Sequence, residues 1–161
     1  MTILESIREM LGTRGIQFRE VHHGVTKTSE ESAAARGESL SIGGKAILMK
    51  VGEEFKLFVL SASRKINSSA IKRQFSERKI RFATSEELQS LTGLVPGSVP
   101  PFGRPILPFD IFVDPSIVSN ERIAFNAGSL TDSIIMQTKD YLPLAQGTVF
   151  AFSISAQESP E

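Results

Sequence analysis

The chain of 161 residues contains no cysteine. That excludes disulfides, thiolate nucleophiles and thiolate zinc sites together, and it suits a reducing, cytoplasmic setting. No excess of either charge is present: 18 Lys and Arg balance 18 Asp and Glu. Proteins that wrap long nucleic acids normally carry a basic surplus, so DNA and extended RNA are not expected partners; a contact with one RNA end is compatible. No run approaches the ~20 apolar residues of a membrane span, so no membrane partner is expected. The N-terminal MTILESIREML has acids among its apolar residues and lacks the apolar core of a signal peptide. Histidine occurs only at His22 and His23, which alternate faces if they lie on a strand. No carboxylate stands at ligand spacing beside them on a helix, so neither a metal nor a cofactor is expected. A nucleophile elbow, G-x-S-x-G, is also missing.

What is present suffices for one domain over residues 1–161. Hydrophobic residues make up 40% and charged ones 22%, an ordinary globular balance. Ile3, Leu4, Ile7, Met10 and Leu11 share a helical face, with Thr2 and Glu5 at capping-box spacing and Gly12 as a stop. Ile16 to Val21 reads as a strand. Thr28 and Glu31 repeat the cap spacing before SEESAAAR, which Gly37 ends. KAILMKV (45–51) and FKLFVLS (55–61) are strands joined by a hairpin at Gly52-Glu53-Glu54, and their apolar residues point to both faces. Asn67 caps a helix burying Ala70, Ile71 and Phe75; KIRFA (79–83) is a strand; Thr84 and Glu87 open a helix that Gly93 stops. Strands follow at 110–114, 122–128 and 133–137, then a short helix from Thr138 to Leu144 and a polar tail from about residue 153. The order predicts an α+β fold with a mixed sheet and peripheral helices, not a doubly wound parallel sheet.

Between the fourth helix and the strand at 110 lies GLVPGSVPPFG (93–103), with three glycines and three prolines in eleven residues. It can be neither a helix nor an inner strand. The sequence GGKA (43–46) invites comparison with a phosphate loop, but Gly37 stands too far from Gly44, Ala46 replaces the Ser or Thr, and a strand follows where a helix should. Lys45 itself heads an apolar strand on the face of Ile47 and Met49; it either snorkels to water or is kept for its charge. A basic cluster, Arg64, Lys65, Lys72, Arg73, Arg78, Lys79 and Arg81, reads equally as a solvated surface or as a contact for RNA phosphates.

In order along the chain, TSEESAAARG, GGKAILMKV, FKLFVLSASRKIN, RFATSEELQSLTGLVPGSVPPFG, DIFVDPSI, IAFNAG and DYLPL resemble the YbaK-like aminoacyl-tRNA deacylase family, from about Thr26 to Leu144. This family includes the editing insertion of bacterial prolyl-tRNA synthetases and its free-standing relatives. The resemblance implies a partly barrel-like mixed β-sheet. It also implies hydrolysis of the ester joining a wrong amino acid to a tRNA acceptor end. The leading expectation is a proline tRNA carrying a small amino acid, with a prolyl-tRNA synthetase as a candidate partner. Lys45 matches the family's functional lysine. Gly93, Pro96, Gly97 and Ser98 match its glycine–proline pocket loop, and Asn126, Ala127 and Gly128 match a third pocket segment, where some relatives carry histidine in place of Asn126. The ester is already activated, so the requirement is to hold ester, attacking oxygen and developing oxyanion in one geometry. Two other readings remain open: a non-catalytic module that binds a tRNA end or a synthetase, and a hydrolase of small esters using the same pocket. Lys45, Gly97 and Asn126 must meet in space if the editing reading is to have a site.

Overall fold

The computed structural model describes residues 1–157. Its elements are α1 (Ile3–Thr13), β1 (Phe18–His22), α2 (Ser29–Arg36), β2 (Gly44–Val51), β3 (Glu54–Ser61), β4 (Arg64–Ile66), α3 (Ser68–Phe75), β5 (Ile80–Phe82), α4 (Ser85–Thr92), β6 (Ile111–Val113), α5 (Pro115–Val118), β7 (Arg122–Asn126), β8 (Asp132–Gln137), α6 (Thr138–Ala145), β9 (Thr148–Val149) and β10 (Ser153–Ser155). A 3-10 turn at Leu40–Ile42 leads into β2.

Helix starts follow local chemistry. The side chains of Thr2, Thr28, Asn67 and Thr84 accept from the backbone N–H three residues on, each satisfying a donor the helix leaves free. Only Thr84 and Glu87 form the reciprocal box, because Glu87 also reaches back to the Thr84 N–H. Gly12 does not stop α1. The helix runs one residue further, and the reversal comes at Gly15, whose φ is +65°.

β5-β2-β3-β6-β9 form a mixed sheet, antiparallel except where β6 runs parallel to β3 and to β9. A second, antiparallel sheet has the order β1-β8-β7, and β10 pairs with β4. The fold is α+β, with mixed sheets and peripheral helices as expected, and no sheet among the described residues closes. An isolated backbone bridge, Gly43 to Ala124, links the two larger sheets. Close approach there depends on Gly44, since a Cβ on it would lie 2.7 Å from Ile123 Cδ1. The paired glycines before Lys45 therefore serve sheet contact rather than a phosphate cradle.

The β2–β3 hairpin is covered on both faces. Leu48, Leu57 and Val59 join the larger core with α1, α4, α6 and the second sheet, while Met49, Val51, Phe58 and Leu60 pack with Ile71, Phe112 and Phe152. The loop between α4 and β6 belongs partly to the first core. Phe102 is 2% exposed and meets Phe125 and Tyr141 edge-on at 5.5 and 5.4 Å, and Tyr141 Oη donates to the Pro101 carbonyl at 2.6 Å. Stiffness and burial thus hold this segment from both sides. Residues 153–155, expected as polar tail, instead form β10, pinned by the wholly buried Phe152 and by pairing with β4. The rest of the expected tail, 158–161, lies outside the described residues. No helix among those described is long and apolar enough to cross a membrane.

Candidate functional site

A cleft of about 170 Å³ opens where α2, the start of β2, the end of β7 and the glycine–proline loop converge. Lys45, Gly97 and Asn126 all line it, so three segments far apart in sequence do meet. The remaining lining includes Thr26, Lys27, Thr28, Ser29, Ser32 and Arg36 from the approach to α2 and its length, with Ala46, Ile47, Ala62 and Val99 as apolar wall.

Lys45 stands near the start of β2, ahead of Ile47, Met49 and Val51 at alternate positions along the strand. Among the described residues its ammonium makes neither a hydrogen bond nor an ion pair. Burial holds its pKa below the ordinary lysine value, partly opposed by the charge of Glu30. A half-buried cation with no protein partner is costly unless a ligand completes it. Gly97 sits at φ +89°, a conformation natural to glycine, and its carbonyl accepts from Asn126 Nδ2 at 2.7 Å. Its N–H has no hydrogen-bond partner among the described residues.

The other residues expected in the site fall outside the cleft lining. Gly93 ends α4 in the left-handed conformation, its N–H donating to the Gln89 carbonyl at 2.8 Å. Pro96 is exposed on the outer side of the turn. Ser98 is 2% exposed, and its Oγ donates back to the Val95 carbonyl at 2.8 Å, closing the turn that presents Gly97. Ala127 is wholly buried in the core, and Gly128, at φ +78°, stands where a Cβ would come within 2.8 Å of Ile3 Cγ2. Gly97, Val99 and Asn126, the neighbours of Pro96, Ser98 and Ala127, line the cleft, whereas no neighbour of Gly93 or Gly128 does.

Arg36 was not evident beforehand. It lies in the last turn of α2, where a basic residue reads as a solvated partner of the helix dipole. Yet it is 7% exposed, and its pKa is lowered to about 10 by burial, so it remains cationic at neutral pH. The available signal was its position: one turn after Ser32, on the helix face that also buries Ala33. The basic cluster from 64 to 81 contributes nothing to the cleft lining, and Arg81 is engaged by Glu87 at 2.7 Å.

Lys27, Arg36 and Lys45 line the cleft with no carboxylate or histidine among its lining residues. Such a wall holds neither a carboxylate nor an imidazole base. It can bind anionic groups, orient an ester and meet a developing oxyanion with positive charge and backbone N–H. The sequence from 23 to 144 matches the model of the aminoacyl-tRNA editing domain. The chain belongs to the aminoacyl-tRNA editing family. That membership makes it a hydrolase of aminoacyl-tRNA, for which an anion-binding cleft beside an ester site is the required geometry.

Relatives agree with this placement. The chain is 33% identical over 153 residues to the multifunctional Ser/Thr-tRNA deacylase ProXp-y of Escherichia coli K12, with 91% of this chain and 90% of the relative covered. It is 37% identical to the proline--tRNA ligase of Bacillus licheniformis over 87 residues, 54% of this chain but 15% of the ligase. A solved structure described as a candidate trans-editing enzyme for prolyl tRNA synthetase superposes with a TM-score of 0.80, covering 96% of this chain and 99% of that one at 23% identity; this likeness concerns the fold.

A second cleft, of about 490 Å³, is lined by Ser41, Ser61, Ser63, Arg64, Asp114, Ser116, Asn120 and Ser153. Its carboxylate is already engaged. Asp114 accepts from the N–H groups of Ser116 at 3.0 Å and Phe152 at 2.8 Å, and from Ser153 Oγ at 2.7 Å. Burial alone would raise its pKa, but these hydrogen bonds outweigh burial and hold it below the ordinary aspartate value. A carboxylate with a depressed folded-state pKa stabilises the fold above its unfolded pKa and loses that contribution as pH falls through the folded value. Asp114→Asn is therefore expected to cost about 1–3 kcal/mol at neutral pH, through loss of charged acceptors for buried donors. Urea unfolding of the two proteins should differ at pH 7, and the difference should shrink once pH falls below the unfolded aspartate pKa of about 3.9 and vanish below the depressed folded-state value.

Proposed function

We propose that this chain acts in trans to release a small amino acid, serine or threonine foremost, from the 3′ end of a mischarged tRNA, with proline tRNA as the principal acceptor. The observation that carries this reading is Lys45: an unpartnered, half-buried ammonium in a cleft that also holds Gly97 and Asn126. Its charge is placed to bind the phosphate or ribose of the terminal nucleotide and so set the ester beside the Gly97 N–H. A water held beside the neighbouring ribose hydroxyl then attacks the ester carbonyl, and the carbonyl oxygen becomes the oxyanion met by that N–H; collapse of this intermediate breaks the acyl C–O bond, the water's proton passes to the leaving ribose oxygen, and the free amino acid and the tRNA hydroxyl are released. No side chain of the lining is needed as a base, because the aminoacyl ester is activated already.

The size and polarity of the cleft support a small, hydroxyl-compatible side chain. The cleft, of about 170 Å³, is small, and Thr26, Thr28, Ser29 and Ser32 are among the residues that line it. Steric exclusion is the practical way to reject larger residues, since binding discriminates weakly between apolar groups differing by one methylene. The name of the Escherichia coli relative supports serine and threonine, and the similarity to proline--tRNA ligases supports proline tRNA, delivered by its acceptor end or by a prolyl-tRNA synthetase partner.

The test is a panel of tRNAs charged with serine, threonine, alanine, valine and proline, on proline tRNA and on one unrelated tRNA. Release of serine or threonine from proline tRNA should exceed the rate in buffer and exceed release of valine. If folded protein accelerates none of them, the reading is wrong; tRNA binding without release would mark a binding module instead. Equal efficiency on a short aminoacyl ester would mark a small-ester hydrolase.

A further inference from the structure

Arg36 is the one cation buried among the described residues, and no carboxylate pairs with it. Its guanidinium is instead spent on neutral partners. Nε donates to Ser133 Oγ at 2.9 Å, and Nη2 donates to Asn126 Oδ1 at 3.1 Å. Ser133 Oγ also lies 3.1 Å from the same Asn126 oxygen. These contacts settle which way the Asn126 amide faces. With Oδ1 turned to Arg36, Nδ2 must turn to the Gly97 carbonyl, where it donates at 2.7 Å. A flipped amide would set its NH₂ against the guanidinium donors and its oxygen against the Gly97 carbonyl, two repulsive contacts in place of two attractive ones.

The relay joins three elements that share no backbone hydrogen bond. It starts in the last turn of α2, passes through the end of β7 and ends on the tip of the glycine–proline loop. The loop's own bonds there, from Ser98 N–H and Oγ to the Val95 carbonyl at 3.1 and 2.8 Å and from Val95 N–H to Ser98 Oγ at 3.3 Å, span only the turn. Burial of Leu94, Val99 and Phe102 holds the flanks of the loop, but Gly97 at its tip is exposed, and Asn126 holds the tip by its bond to the Gly97 carbonyl. Arg rather than Lys suits the task, because a planar fork can direct two N–H groups at two acceptors at once.

We propose that Arg36 is a specificity-determining positioning residue: by orienting the Asn126 amide it holds the Gly97 carbonyl, and with it the wall against which the aminoacyl side chain is sized. The sizing role rests on the editing function proposed above; the mechanical relay does not.

Arg36→Gln, Arg36→Lys, Asn126→Ala and the double variant Arg36→Gln/Asn126→Ala separate the possibilities, with thermal unfolding confirming that each is folded. Two readouts are used. One is amide hydrogen exchange at Ser98 in the protein alone. The other is the ratio of kcat/KM for serine-charged over valine-charged tRNA. Arg36→Gln and Arg36→Lys should both speed exchange at Ser98 and lower the ratio, each by about tenfold, the scale expected when a positioned wall shifts by a fraction of an ångström. The double variant should be no worse than the worse single one, because both residues act in one relay. Unchanged exchange in Arg36→Gln, full recovery in Arg36→Lys, or additive effects in the double variant would overturn the relay. Faster exchange with an unchanged ratio would overturn the sizing role. A wild-type protein that releases no amino acid from any tRNA overturns the function, and the sizing role with it, while the exchange arm still decides the relay.

Discussion

Lys45→Ala should lower deacylation by about 10²–10³-fold, the range seen when one preorganised electrostatic contact to a reacting group is removed. Stability should not fall with it. The Lys45 ammonium is half-buried with no protein partner among the described residues, and burial depresses its pKa. For a base, a folded-state pKa below the unfolded one means that the charged form weakens the fold. That burden is complete below the folded-state pKa and is relieved as pH rises through it towards the unfolded value, about 10.4. Removing the group should therefore leave Tm at neutral pH equal or higher, and the difference should shrink in alkaline solution. Lys45→Met, which keeps most of the apolar stem, should lose activity as fully as alanine does. Activity above the buffer rate should also decline in wild type at a pH below the ordinary lysine range. Retained activity in Lys45→Ala would remove the residue from the mechanism, and a marked loss of Tm would make it a structural lysine.

Gly97→Ala is the second large effect, and it arises from backbone conformation rather than crowding. A Cβ on Gly97 would meet Leu130 Cδ2 at 3.5 Å, an ordinary contact. The φ of +89° is another matter, because an L side chain there costs about 1–2 kcal/mol. The turn can relieve that strain by rotating its peptide units, which displaces the carbonyl held by Asn126 and the N–H left free for the substrate. A misplacement of about 1 Å can cost on the order of 10²-fold in rate, so a fall of about 10–100-fold in kcat/KM is expected, with Tm lowered only slightly. Pro96→Ala, one residue away but outside the cleft lining, serves as the control and should change the rate less than threefold, since surface changes of this kind are worth about 0.5 kcal/mol or less. An unchanged rate in Gly97→Ala would mean that the loop geometry is not demanding.

Both effects were foreshadowed by local sequence, but to different degrees. Threonine and asparagine caps, the hairpin at Gly52 and the two-faced β2–β3 pair are legible because each depends on residues within a few positions. β4, β9 and β10 have only two or three residues each and exist through distant partners, so no periodicity announces them. The same limit operates within the site. Ser98 and Ala127 adjoin Gly97 and Asn126 in sequence, yet one closes its own turn and the other fills the core. In a non-repeating loop and at a strand end, side-chain direction is set by packing, not by spacing.

Composition, caps and the ordered motifs by themselves determined the α+β class, the absence of thiol chemistry and the family, together with Lys45, Gly97 and Asn126 as candidates. The tertiary structure alone decided that these three share one cleft, that no sheet among the described residues closes, and that Arg36 is buried and bonded to Asn126 rather than in solvent. The physical reason is range. Caps, turns and charge balance are properties of neighbouring residues, whereas a hydrogen bond from residue 36 to residue 126 exists only after α2 and β7 have packed against each other.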